Sequence, residues 1–122
     1  MEYSIVVTPE TFHKFDKHNM QHVCVPMVIG NSGIDVAMEV FNGILKTVET
    51  RFEVEKVSEE KDECDEIHAV YKLKSGEKEG LLHLRLRKVT PGCPPISGNK
   101  CSIFEFERDI ECVVDEIEGC LS

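Results

Sequence analysis

The stretch from Ile67 to Val89 constrains the fold more than any other part of the chain. Within Leu81–Val89, Leu82, Leu84 and Leu86 alternate with His83, Arg85 and Arg87. A period of two puts the leucines on one side of an extended strand and the polar side chains on the other. Ile67–Leu73 reads as a second strand, and Lys74-Ser-Gly-Glu-Lys-Glu-Gly80 between the two holds turn-forming residues, which predicts an antiparallel hairpin with a longer loop. A strand pair with one apolar face needs a cover, and the rest of the chain has to supply it.

Two stretches have the periodicity of such a cover. Ile34, Ala37, Phe41, Ile44, Leu45 and Val48 recur at steps of three and four, giving an amphipathic helix from about 33 to 50. Ile110, Val113, Val114, Ile117 and Leu121 do the same over about 108 to 121. Thr8-Pro9-Glu10 has the composition of a helix start, with a capping hydroxyl, a proline suited to the first helical position and an acid at the positive helix end; it predicts a short helix to about His18 bearing Phe12 and Phe15. Further strands are expected at 3–7, at 22–29 with Pro26 marking an edge or bulge, at 52–58 and at 101–107. Gly30-Asn-Ser-Gly33 breaks the chain before the first long helix, 58–66 forms an acidic loop, and 90–100 is an irregular loop rich in proline and glycine. Strands that follow one another through short turns favour an antiparallel sheet. The expected fold is therefore a single α+β domain spanning 1–122, with a mainly antiparallel sheet of about five to six strands and two to three helices packed on one face.

Charge narrows the function. With 14 Lys and Arg against 23 Asp and Glu in 122 residues, the chain has a formal net charge of -9. Such a surface repels phosphate backbones and anionic lipid, so neither nucleic acid nor a membrane is an expected partner; a basic protein is. No basic leader precedes the short apolar run ending at Val7, and this predicts a cytoplasmic location in which the six cysteines stay thiols.

Candidate chemistry is sparse. His13, Asp16, His18, His22 and Cys24 are all residue types that bind transition metals, with His18, His22 and Cys24 the candidate ligands, but the spacing matches no zinc motif, so no metal or other cofactor is expected. No two cysteines form a Cys-x-x-Cys pair, although Cys93 and Cys101 could close the proline-rich loop. Cys93 with His68 or His83 is the sole imaginable nucleophile and base, without an elbow motif around it. Gly30–Gly33 lacks the lysine of a phosphate loop and is read as a cap. The basic face of His83, Arg85, Arg87 and Lys88 is read as solvated and paired across strands with acids such as Glu53, Glu55, Glu105 and Glu107.

The acids remain. Glu59, Glu60, Asp62, Glu63, Asp65 and Glu66 form one block, and Glu111, Asp115 and Glu118 belong to a second along the last helix. These nine are the expected partner-binding residues. In size, acidity and absence of catalytic motifs the chain is similar to bacterial immunity proteins. That resemblance implies a non-enzymatic inhibitor that masks a basic partner, a toxin among the possibilities. The alternatives are a metal-binding domain or small enzyme built on the His/Cys cluster, and a secretion-chaperone-like or structural homodimer formed through an exposed strand.

Overall fold

The computed structural model describes residues 3–13, 20–23, 27–63, 66–88 and 106–121, with side chains described over 3–11, 33–63, 66–88 and 110–121. Strands β1 (Tyr3–His13), β2 (Met20–Val23) and β3 (Met27–Ser32) come first. Helix α1 (Ile34–Arg51) follows, then strands β4 (Glu53–Lys61), β5 (Ile67–Ser75) and β6 (Lys78–Lys88), and finally helix α2 (Phe106–Leu121). The class is α+β. Among the described residues the sheet has six strands in the order β2-β1-β6-β5-β4, with β3 also paired to β1, and every pairing is antiparallel.

Register explains why this sheet has one dry face. Ile67 on β5, Leu86 on β6 and Ile5 on β1 stand in one cross-strand row, and Ala69, Leu84 and Val7 form the next. Tyr71, Leu82 and Pro9 form a third, then Leu73, Gly80 and Thr11. All of these are buried. The sequence alternation of three strands therefore coincides row by row, and both helices lie over the surface it makes. Ala37, Val40, Phe41, Ile44 and Val48 of α1 join Val113, Val114, Ile117 and Leu121 of α2 in one apolar cluster with the strand residues. The hairpin between β5 and β6 is tighter than its composition predicts. Ser75 pairs with Lys78, and Gly76 turns the chain with φ 61°, a left-handed conformation that suits glycine.

The expected helix after Thr8 is a strand. β1 continues through Thr8-Pro9-Glu10 to His13, and the remainder of that expected helix, 14–18, lies outside the described residues. Pro9 fits because β1 changes its second neighbour there. β3 pairs with β1 up to Val7 and β2 takes over from Glu10, so Pro9 lies in the interval between the two ladders. The expected strand at 22–29 divides into β2 and β3, with Pro26 outside the described residues. The expected break at Gly30-Asn-Ser-Gly33 shrinks to Gly33, which precedes α1 as an extended residue without a side-chain cap. α2 begins at Phe106, so the expected strand at 101–107 ends as helix, and 101–105 lie outside the described residues. β4 runs to Lys61, which takes the first part of the expected acidic loop into the sheet.

Gly80 allows α2 to settle on the hairpin. A Cβ at this position would collide with the Glu10 carbonyl oxygen of β1 and with the Leu121 side chain of α2. Backbone cannot yield as a flexible side chain can, so Gly80→Ala is expected to destabilise the fold by about 2 kcal/mol or more, against well under 1 kcal/mol for alanine at open Gly33. Urea denaturation of the two variants checks this; equal midpoints would refute it.

Candidate protein-binding surface

The acidic residues singled out in the sequence occupy two different environments. Arg51, the last residue of α1, reaches across to α2. Its guanidinium donates to Glu111, to Asp115 at 2.6 Å and to Glu118 at 3.2 Å. These acids are spaced by four and three, so a single helix face presents them together. The hydrogen bond to Asp115, aided by those to Glu111 and Glu118, raises Arg51 above its already high pKa, against the smaller opposing effect of desolvation. The second acidic block is thus gathered around one internal cation. Sequence reading missed Arg51 because its partners lie 60 to 67 residues away.

The first block sits at the far end of the sheet. Glu59 and Glu60 are exposed on β4, Asp62 and Glu63 are exposed in the turn after it, and Asp65 lies outside the described residues. Glu66 is half-buried and structural: its Oε1 accepts from the Lys88 backbone N–H at 3.2 Å. Asp62 ties off the hairpin, since its N–H donates to the Glu66 carbonyl and its Oδ1 accepts from the Glu66 N–H, each at 3.0 Å. Lys56 donates to Glu59 at 2.9 Å, and that bond raises the Lys56 pKa. Glu60, Asp62 and Glu66 line an open cleft of about 350 Å³ together with Lys61, Ile67, His68 and Arg85.

The outer sheet face carries the basic and imidazole side chains. Glu60, His68 and Arg85 stand in one row, and Glu53 and Glu55 face Lys74 and Lys72 across β5. The acids opposite β6 are therefore not Glu53 and Glu55 as expected from sequence; Arg85 faces His68 and Val6, and Arg87 faces Ser4. The side chains of Glu105 and Glu107 lie outside the described set. His68 and His83 approach with ring centroids 5.8 Å apart. His83 Nε2 is buried 3.4 Å from Glu10 Oε1, without a hydrogen bond of good geometry among the described residues. Of the expected metal ligands, His18 and Cys24 lie outside the described residues, and His22 is placed on β2 by its backbone alone. Among the described residues no group of three or more His, Cys, Asp or Glu side chains is arranged to hold a metal ion. Cys93, the imagined nucleophile, also lies outside them.

The expected thiol state is overturned at two positions. Cys112 and Cys120, both half-buried on α2, are disulfide-bonded. They cannot be bonded to each other. At about 1.5 Å rise per residue, eight helical positions separate them by about 12 Å, roughly twice the span a disulfide tolerates. Each is therefore bonded to a cysteine outside α2. No protein-family model matches the chain, and no curated protein matches it.

Two measurements follow from this geometry. Arg51→Ala should lower stability by about 1 kcal/mol in urea at low salt, a modest value because the network is solvent-exposed, and the loss should shrink in concentrated salt; a salt-independent loss would assign Arg51 a packing role instead. Peptide mapping without reductant should link Cys112 and Cys120 to two different cysteines among the other four. A Cys112–Cys120 link, or free thiols at either position, would contradict the assignment.

Proposed function

We propose that this chain is a small non-enzymatic binding protein that captures a basic protein partner through the acidic end of the β4–β5 hairpin, masking that partner as a toxin-neutralising immunity protein does. One observation carries the reading. The acids divide into a set of three that shares the single Arg51 guanidinium and a set, including Glu60 and Glu63, that stands exposed at the end of the sheet. Carboxylates hydrogen-bonded to Arg51 must give up those bonds to meet a partner, whereas Glu60 and Glu63 can steer a basic surface toward the molecule and discriminate against acidic proteins without that loss. In a molecule of net charge -9 that steering is long-ranged at low ionic strength.

The disulfides of Cys112 and Cys120 bear on where this happens. Such bonds persist in oxidising compartments and are reduced in the cytosol, so the reading places the protein in an oxidising compartment in place of the cytoplasmic location expected from the sequence. No described helix is long and apolar enough to cross a membrane.

The test is kinetic. A basic protein isolated on the immobilised chain at low salt is titrated against wild type and against the double variant Glu60→Lys with Glu63→Lys. Both sites are exposed surface, so circular dichroism should show an unchanged fold, while the association rate should drop about tenfold or more and the difference should narrow as salt rises. An unchanged rate would remove this block from the binding surface.

A further inference from the structure

β4 is the outermost strand of the sheet, and among the described residues it pairs with β5 alone. From Glu55 to Lys61 every residue is exposed. A strand in that position turns half of its backbone donors and acceptors outward, ready to accept another strand. Its side chains say which kind. On the outer face Glu53 and Glu55 have Lys74 and Lys72 beside them on β5, and Glu60 has His68. The acids of β4 thus have cationic or imidazole side chains on one side only, and a basic column is the most favourable neighbour on the open side of β4. Val57 sits at the irregularity between Lys56 and Ser58 and is 58% exposed, the more exposed of the two large hydrophobics that reach the described surface. It offers an apolar anchor in the middle of the edge.

From this juxtaposition we infer that the β4 edge binds an extended segment of a basic protein by strand addition, with Lys or Arg at alternate positions lying against Glu53, Glu55 and Glu60 and an apolar residue over Val57. This inference rests on the basic-partner reading and specifies its mode. A second copy of the chain is a poor occupant. β4 carries four carboxylates against two ammonium groups, and an antiparallel copy centred on Val57 sets Glu55 against Glu59.

The test uses three ten-residue peptides and the oxidised full chain. One alternates lysine with threonine around a central valine, the second is identical but N-methylated at alternate backbone nitrogens, and the third carries glutamate for lysine. Fluorescence anisotropy at low salt should show the first binding at least about tenfold more tightly than the second, no binding of the third, and a comparable loss for the first peptide on Glu55→Lys with Glu60→Lys. N-methylation removes donors and leaves charge untouched. Equal binding of the first two peptides would overturn strand addition while leaving the basic-partner reading intact, and failure of both would overturn the two together. A wild-type dimer in sedimentation that Glu60→Lys disrupts would assign the edge to self-association and overturn the inference.

Discussion

Coincident register across β5, β6 and β1 is the constraint on which the molecule rests. Three strands place Ile67, Leu86 and Ile5 in one row, Ala69, Leu84 and Val7 in the next, and Tyr71, Leu82 and Pro9 in a third. Because side chains alternate at every residue, a slip of one position on any of these strands would bring charged groups inward and turn the apolar set to water. The helices read this surface. α1 and α2 cross it with Ile44, Val48, Val114 and Ile117 buried against the rows, and Gly80 leaves the room that Leu121 occupies. Burial also acts on Tyr71, whose phenol is pushed above its ordinary pKa chiefly by desolvation. Exposed acids on the outer surface such as Glu60 and Glu63 lie outside that stack, whereas Asp62 and Glu66 tie down the end of the hairpin.

The parts of this fold legible in the sequence are those whose signal is local and repeated. Ile34 to Val48 at helical spacing, Leu82 to Leu86 in alternation and Ile110 to Leu121 at helical spacing each state their own periodicity several times, and each becomes the element it describes. Thr8-Pro9-Glu10 misleads because its residues have identical local preferences at a helix start and at a strand that changes neighbours. The deciding fact is that β3 stops at Val7 and β2 resumes at Glu10, which depends on where distant strands lie. Tertiary context overrides propensity in such places.

The candidate surface was legible in composition and opaque in arrangement. A count of acids finds both blocks. It cannot show that Arg51 stands over Glu111, Asp115 and Glu118, because nothing near Arg51 in sequence refers to α2. Nor can spacing show that Glu66 serves the backbone of Lys88. The cysteines follow the same logic. Their even number and unremarkable spacing fit thiols and bridges equally well, and only the helical separation of Cys112 from Cys120 forces their bonds outward to other parts of the chain.

The pairing of β1 with β6 has a consequence for how the protein forms. Tyr3 meets Lys88, so this ladder closes a loop of 85 residues, the difference between the two numbers. β4, β5 and β6 are joined by short connections and can assemble early, whereas β1 must wait for β6 before its central row of hydrogen bonds exists. Ordering so distant a contact makes for slow folding, with the β6 edge of a half-built sheet open to any other chain in the interval. The strand that completes the core is the one farthest in sequence from the partner it must find.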